Sequence, residues 1–439
     1  MKPEGRKYER AEHCISRAAI SSAALKVLYR LNKGGFRACL VGGGVRDLLL
    51  GREPKDFDIA TDAEPEQVRE LFRNCRLIGR RFRLAHVRFG PEVIEVATFR
   101  ALHVEKDEDR VIEDGRIVRD NVYGSIEDDA FRRDFTVNAL YYDIKDFSVV
   151  DFTGGMQDVM SGQLRLIGDP LRRYREDPVR LLRAVRFAVK LGFTIEAATE
   201  APIRSEAYLL ESISPARLFE EFLKLFHGGT ALQTFEALRH YGLFEVLFPQ
   251  AEAALAEQEG GFPHMLIARA LENTDERISV GKPVTPAFLV AALLWYPMRA
   301  IADQLIEEGV QETEALQLAS DRVFAQQITR VAIPRRFTMV AREIWMMQSR
   351  LVKRTRKRVM RVLGNERFRA GYDFLLLRAE TGEDCAADAQ WWTEFQDADE
   401  AGQLRMLDGL KSGRRKSRRR RRSSGGESPS SDEPPSGGD

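Results

Sequence analysis

Two aspartates separated by a single residue stand in a short apolar segment near the N-terminus. Asp56 and Asp58 flank Phe57 in a stretch that is predicted to be a strand. Side chains of a strand alternate between its faces, so both carboxylates lie on one face and Phe57 on the other. Adjacent carboxylates repel each other unless a cation neutralises them, and Mg²⁺ prefers such oxygen ligands together with substrate phosphates. A solvated edge strand with paired charges would show the same pattern.

A glycine-rich turn lies a few residues upstream. The apolar segment FRACLV leads into Gly42, Gly43 and Gly44, and a short predicted helix that contains Arg46 follows. Such a turn exposes successive backbone N–H groups and can bind an anion. It is not a dinucleotide-binding fingerprint, because Asp47 stands where the third glycine would be. A tight turn packed under a helix explains the glycines equally well, but the downstream aspartates favour a site for a triphosphate and its metal.

Four charged residues recur at every third position along one predicted helix. They are Asp177, Arg180, Arg183 and Arg186. Residues three apart lie on the same side of a helix, and an aspartate acceptor beside an arginine donor can hydrogen-bond the edge of a nucleotide base. Asp177 could instead cap the helix that Pro178 begins.

Two further carboxylates are candidates for the same chemistry. Glu95 lies in the predicted strand VIEVATF, a candidate neighbour of the strand that carries the two aspartates. Asp134 lies in RRDFTVN, where it could also cap a helical turn through the N–H groups of Thr136 and Val137. Both interpretations of Asp134 stay open at this point.

The order and spacing of these motifs resemble one enzyme family. The motifs are VGGGVRDLLLG followed after three residues by KDFDIAT, then IEVATFR (94–100), RRDFTVNAL (132–140), DFTGGMQD (151–158) and REDPVRLLRAVRFAVKLGF (175–193). Together they resemble the class II tRNA nucleotidyltransferase and poly(A) polymerase family. The resemblance implies an α/β nucleotidyltransferase head of the polymerase-β type, followed by an all-α neck and body and a disordered basic C-terminal tail.

The resemblance also implies roles for the candidate residues. Asp56 and Asp58 would bind two Mg²⁺ ions that assist the attack of an RNA 3′-OH on ATP and the release of pyrophosphate. Asp134 would be essential, Glu95 would support the aspartate pair, and which of the two completes the metal site is left open. The remaining nucleotide-binding residues would be Gly42, Gly43, Arg46 and Arg133 around the triphosphate, Asp177 and Arg180 at the base, and Arg183 and Arg186 beside them.

Members of this family add either CCA to tRNA or poly(A) to RNA. The segments 71–90 and 333–350 and the Arg-rich end are similar to the bacterial members that add poly(A). We therefore expect template-independent addition of AMP to RNA 3′ ends, which by resemblance marks RNA for decay and implies contact with the degradation machinery. CCA addition to tRNA is the alternative within the family. An RNA-binding protein with a degenerate, inactive head is the alternative from another class.

Helix and strand patterns, read with the resemblance, divide the 439 residues into five segments. These are an N-terminal arm and helix (1–35), the head (36–155), a neck that reads the base and binds RNA (156–245), an RNA-binding helical body (246–410) and the tail (411–439).

Charge distribution points to a polyanionic partner. The net charge is +1, but residues 411–422 hold nine Lys and Arg and residues 423–439 hold four acids, so the tail carries 9 − 4 = +5 and the rest 1 − 5 = −4. Such a tail should contact RNA phosphates. A second basic group could form an RNA-binding face or an ordinary solvated helix surface: Lys353, Arg354, Arg356, Lys357, Arg358 and Arg361.

Several classes of protein are not expected from this composition. Four cysteines at 14, 39, 75 and 385 show no metal-binding spacing and are expected to be free thiols in the cytoplasm. The N-terminus lacks the apolar segment of a secretory signal. The longest apolar run, 287–296, ends at Pro297 and is too short to span a membrane, so no membrane segment is expected.

Overall fold

The computed structural model describes residues 5–79, 83–101, 110–113, 116–120, 122–256 and 265–410. The tail predicted to be disordered, 411–439, lies outside the described residues.

An eight-stranded sheet forms the centre of the N-terminal part. The strands of the described residues are β1 (Arg6–Tyr8), β2 (Ala38–Val41), β3 (Asp58–Thr61), β4 (Cys75–Ile78), β5 (Leu84–Phe89), β6 (Glu92–Thr98), β7 (Arg110–Glu113), β8 (Arg116–Asp120), β9 (Leu140–Asp143), β10 (Ser148–Asp151), β11 (Gln163–Leu164) and β12 (Thr194–Ile195). The order in the large sheet is β1-β10-β9-β2-β3-β6-β5-β4. Neighbouring strands in it are antiparallel, except that β3 and β6 run parallel.

Both faces of the sheet centre are covered by helices, which explains its uninterrupted apolar strands. In β2, Ala38 and Leu40 belong to the main core under α1 (Ser22–Lys33), whereas Cys39 and Val41 belong to a second cluster on the opposite face. The other helices of this part are α2 (Gly43–Leu49), α3 (Pro65–Leu71), α4 (Ile126–Arg132), whose Ile126 and Ala130 join the second cluster, and α5 (Gly155–Ser161).

The rest of the described chain is almost entirely helical. Its helices are α6 (Pro170–Glu176), α7 (Val179–Leu191), α8 (Ala197–Glu200), α9 (Pro215–Phe226), α10 (Ala231–His240), α11 (Leu243–Leu247), α12 (Pro249–Ala256), α13 (Met265–Ser279), α14 (Pro286–Leu293), α15 (Trp295–Glu307), α16 (Glu312–Arg330), α17 (Arg335–Val352), α18 (Arg356–Leu363), α19 (Phe368–Glu380), α20 (Ala386–Asp397) and α21 (Glu400–Gly409). The predicted α/β head followed by a helical neck and body is thus confirmed.

Three local predictions need correction. The strand predicted to hold both aspartates begins at Asp58, so Asp56 lies in the irregular segment before it. The neck, predicted to be all-α, also contains a short parallel pairing of β11 with β12. The break in the longest apolar run falls at Leu294, and Pro297 lies in the first turn of α15, where a proline needs no N–H partner.

Other local predictions are confirmed. Residues 101–121, whose mixed charges fit either a mobile solvated loop or two short strands around Asp114 and Gly115, contain the antiparallel pair β7–β8; Asp114 and Gly115 themselves lie outside the described residues. All four cysteines are free. Within the described ranges no single helix is long and apolar enough to cross a membrane; α14 and α15 pass that test only jointly, as a pair bent by 52°.

Candidate active site

The carboxylate group of the site is assembled by strand pairing. Asp58 is the first residue of β3, and its register partner on the parallel strand β6 is Glu95. The residues that follow, Ile59 and Val96, both face the main core, so Asp58 and Glu95 share the opposite face. Asp56 is exposed, and Phe57 packs against the main core as the alternation predicts.

The environment of Asp58 disfavours its charged form. The side chain opens to solvent, but the surrounding protein removes part of its hydration, and the charges of Glu95 and Asp56 repel it. These effects raise the pKa of Asp58 to about 6, while Arg133 acts in the opposite direction. A group of carboxylates that destabilise one another in this way is stabilised by a bound cation.

The glycine turn lies directly beside this group. Gly42 has φ +76°, a conformation that residues with a Cβ rarely adopt. A Cβ at this position would lie 3.5 Å from Nη1 of Arg133 and 3.9 Å from Oδ2 of Asp58. The turn, Arg133 and Asp58 therefore border one small space.

Arg46 occupies a different position from the one expected of a triphosphate ligand. It is buried, and its guanidinium donates to Oδ1 of Asp47 (2.9 and 2.7 Å) and to Oδ1 of Asn138 (2.6 Å). A Cβ on Gly43 would lie 3.5 Å from its Nη2. Arg46 thus packs against the glycine turn from the protein interior.

Asp134 connects the head to the neck. Its Oδ2 accepts from Nε of Arg183 at 2.8 Å and also from Nη2, and its Oδ1 accepts from the N–H of Phe135 (2.8 Å) and from Asn138 (3.2 Å). Burial alone would raise the pKa of Asp134, but Arg183 and these hydrogen bonds outweigh burial and lower it to about 2. The alternative in which Asp134 caps the next turn is wrong, because the Thr136 N–H donates to the carbonyl of Arg165.

A polar cavity of about 410 Å³ adjoins Arg133 and extends between α7 and α9. Its lining residues are Arg133, Asp134, Asp177, Val179, Arg180, Arg183, Arg217, Glu220, Glu221 and Lys224. Arg133 also borders the glycine turn, and so connects the carboxylate group to this cavity.

Asp177 offers an unused acceptor at this cavity. Its Oδ2 accepts from Nη2 of Arg217 (2.9 Å), but its buried Oδ1 has no hydrogen-bond partner in the part of the chain that the structure describes. The helix-cap alternative for Asp177 is wrong, because Pro178 occupies the N-cap position and α7 has no side-chain cap. Asp177 thus lines the cavity with one carboxylate oxygen that lacks a partner among the described residues.

The arginines of α7 have separate environments. Arg180 donates to the carbonyl of Arg173 at 2.7 Å, and burial, followed by the charge of Arg173, lowers its pKa to about 10. Arg183 is held by Asp134. Arg186 lies one turn further along, outside the cavity lining, with its guanidinium 4.4 Å from the ring centroid of Phe187.

Residues of α9 complete the site and were not predicted. Arg217 holds Asp177, and Glu221 is buried with Oε1 accepting from Lys224 (2.8 Å) and Oε2 unpartnered within the described chain. One signal could have revealed them: Arg217 and Glu221 are four residues apart, beside the apolar face of a predicted amphipathic helix.

Comparison with known proteins identifies the family. Poly(A) polymerase I of Salmonella typhimurium (strain LT2) is 51% identical over 417 residues, which are 93% of this chain and 90% of that protein. The chain belongs to the poly(A) polymerase I family. Three models match it: "Poly A polymerase head domain" (38–165), "Probable RNA and SrmB-binding site of polymerase A" (192–255) and "Polymerase A arginine-rich C-terminus" (308–425).

Relatives that add CCA are more distant from this poly(A) polymerase I family member. A CCA-adding enzyme of Lactobacillus helveticus (strain DPC 4571) is 40% identical, but over only 215 residues, 48% of this chain and 52% of that enzyme. The CCA-adding enzyme of Bacillus stearothermophilus in complex with CTP has a similar structure, with a TM-score of 0.56, 26% identity and coverage of 87% of this chain and 83% of that one.

The carboxylates fit a metal that is held jointly with substrate. Among the described residues no three His, Cys, Asp or Glu side chains form a preformed metal-binding group. Mg²⁺ does not require one, because it commonly binds through one or two carboxylates and completes its coordination with waters and substrate phosphates. The mutual repulsion around Asp58 and the space beside Gly42 match that mode of binding.

Proposed function

We propose that this protein extends RNA 3′ ends with AMP from ATP, without a template and with release of pyrophosphate. The observation that carries the proposal is the continuity of the site. The carboxylates of Asp58 and Glu95 lie in register beside the glycine turn, and Arg133 connects the turn to the cavity that Asp177 lines. Near-full-length similarity to poly(A) polymerase I supports the same activity.

Asp56 and Asp58 would hold two Mg²⁺ ions, with Glu95 as the supporting carboxylate. Bound there, the ions would supply activation of the RNA 3′-OH and neutralisation of the departing pyrophosphate. The turn of Gly42 and Gly43 would present its backbone to the triphosphate, and Arg133 would pair with a phosphate. Arg46 keeps the turn in place, so its role is positioning.

Base selection would take place in the cavity. The free Oδ1 of Asp177 would accept a hydrogen bond from the exocyclic amino group of adenine, while Arg217 fixes the orientation of that carboxylate. Arg180 would donate to a ring nitrogen of the base. A carbonyl oxygen at the position of the amino group, as in guanine and uracil, would face Asp177 and be repelled.

CCA addition is the less favoured alternative. CCA-adding relatives match about half of this chain, whereas poly(A) polymerase I relatives match more than 90% of it. By the same relationship, we infer that the tails mark RNA for decay and that the degradation machinery is a partner. The free thiols fit action in a reducing cytoplasm.

The test is extension of a labelled oligoribonucleotide with each of the four nucleoside triphosphates supplied separately. We expect long products with ATP only. Asp177→Asn, which keeps the shape of the side chain but adds a donor, should reduce the preference for ATP over UTP by about 1.5–3 kcal/mol, roughly ten- to a hundred-fold. Products of equal length with all four nucleotides, or an unchanged preference in Asp177→Asn, would contradict the assignment.

A further inference from the structure

A basic cavity lies in the body, between α17 and α18 and next to the start of α16. Its volume is about 380 Å³, within the range of about 300–1,000 Å³ usual for ligand sites. The lining residues are Thr313, Met347, Ser349, Arg350, Lys353, Arg358, Arg361, Val362 and Asn365. The apolar part, Met347 and Val362, is buried, whereas the cations around it are exposed.

Three of the cations have no acidic partner. Arg350, Arg358 and Arg361 form no ion pair or hydrogen bond with the described residues, while Lys353 pairs with Glu312. Other arginines of the body are held by acids, such as Arg367 by Glu343 (2.9 Å) and Arg369 by Asp373 (2.9 Å). Three unpaired cations thus converge where the surface is concave.

The predicted basic face is accordingly not uniform. Arg354 pairs with Asp388 at 2.8 Å and Arg356 with Asp408 at 3.4 Å, so these two are partly neutralised. Arg358 and Arg361, which are three residues apart on α18, share a side of the helix and meet Arg350 from α17 across the cavity. The convergence of two helices on one space distinguishes this group from a solvated helix surface.

We propose that this cavity binds the phosphodiester backbone of the RNA substrate, upstream of its 3′ end. Guanidinium groups match phosphate oxygens with paired N–H donors. Ser349, Thr313 and Asn365 add hydroxyl and amide groups, and the apolar part of the lining can contact a ribose or base edge. The proposal rests on the proposed function, since it takes RNA as the substrate.

The test compares two triple variants of the full-length chain. The first is Arg350→Gln, Arg358→Gln and Arg361→Gln. The control removes three exposed cations that do not line the cavity: Arg322→Gln, Arg335→Gln and Arg336→Gln. Thermal unfolding verifies that both remain folded. Affinity for a fluorescent 20-nucleotide oligo(A) is measured by anisotropy over a range of salt concentrations, and AMP transfer is measured on the same primer and on a trinucleotide primer.

We expect the cavity variant to lose at least about tenfold in affinity for the 20-mer. The slope of log affinity against log salt concentration should become shallower by about 2, which is ~0.7 for each of three lost phosphate contacts. AMP transfer to the trinucleotide by the cavity variant should be unchanged, because this primer is too short to reach both the active site and the basic cavity. If the proposed function itself were wrong, the unmodified chain would transfer AMP to neither primer. Equal losses in the two triple variants would overturn the proposal. Binding of inorganic pyrophosphate is measured for the same variants. A cavity variant that keeps its RNA affinity but no longer binds pyrophosphate would also overturn the proposal, and would make the cavity a site for a free phosphate compound.

Discussion

At the scale of single residues, Asp58 is the clearest case of a side chain whose position costs stability. Its carboxylate lies opposite Glu95 and near Asp56, and its pKa is raised to about 6. Above that pH the ionised group is repelled by its neighbours in the metal-free protein. This is the pattern expected of a residue that holds a ligand.

The change Asp58→Asn tests this directly. We expect AMP transfer to fall by at least about a hundredfold, because the metals lose a charged ligand. The melting temperature in EDTA should be unchanged or higher, because the repulsion is removed. Glu53→Gln, which neutralises an exposed carboxylate in the loop before Asp56, is the control and should leave both measurements unchanged. A less stable Asp58→Asn protein with normal activity would contradict the metal-binding role.

The two remaining carboxylates lie in different environments. Glu95 lies in register with Asp58, whereas both oxygens of Asp134 are engaged by Arg183, Asn138 and Phe135. We therefore expect Glu95→Gln to raise the Mg²⁺ concentration required for half-maximal activity, and Asp134→Asn to lower the maximal rate without that shift. The measurement is a magnesium titration at saturating ATP. The opposite pattern would assign Asp134 to the metal site.

At the scale of secondary-structure elements, the Asp134–Arg183 pair joins the segment before β9 to α7. The pKa of Asp134 is about 2, below the value near 3.8 of the unfolded chain, so its ionised form stabilises the fold. The contribution is roughly 2 kcal/mol, is fully present above the unfolded pKa, and is lost as the pH falls through 2.

Urea unfolding at several pH values checks this contribution. Asp134→Asn should reduce the free energy of unfolding by roughly 2 kcal/mol between pH 5 and pH 7, because the charge interaction with Arg183 is lost. The difference from the unmodified protein should shrink below about pH 4, where the unfolded chain becomes protonated. A difference that stays constant down to pH 3 would show that the pair does not act through its charge.

Local sequence patterns predicted much of this architecture. The helix of Arg180 and Arg183 runs over Val179–Leu191, and Ile59 faces the core as strand alternation requires. These features depend on residues that are close together in the chain, so they can be predicted from hydrophobic periodicity and from the positions of proline and glycine.

Contacts between distant segments were not predictable in the same way. Arg217 reaches Asp177 from a helix forty residues later, and Arg183 reaches Asp134 across forty-nine. The helix-cap hypotheses for Asp134 and Asp177 failed because each carboxylate forms an ion pair with a distant arginine and does not hydrogen-bond the backbone N–H groups of the next helical turn. The strand boundary at Asp58 likewise depends on pairing with β2 and β6.

At the scale of the whole molecule, RNA binding is expected to involve the tail and the body together. Residues 411–439 lie outside the described residues, but their net charge of +5 contrasts with −4 for the rest of the chain. Deleting them should leave the rate at saturating RNA nearly unchanged, because the proposed active site lies in the head and neck. At low RNA the truncated enzyme should be slower and make shorter products per encounter.

The salt dependence of RNA affinity distinguishes a direct contact of the tail from an indirect effect. We expect the truncated chain to show a slope smaller by ~0.7 for each lost phosphate contact. Identical slopes for the full and truncated chains would mean that the tail does not touch RNA, and would assign its charge to another partner.

The most direct test of the account uses a tRNA that lacks its terminal CCA. The protein is incubated with this tRNA and Mg²⁺, with ATP alone, with CTP alone, or with both. We expect a continuous ladder of added A residues with ATP alone and no extension with CTP alone, as the near-full-length similarity to poly(A) polymerase I implies. Asp177 and Arg180 alone would not exclude cytosine, which presents the same amino group and ring nitrogen as adenine, so the rest of the cavity must do so. Addition of two C residues with CTP, followed by a single A and an end to synthesis when ATP is present, would contradict it.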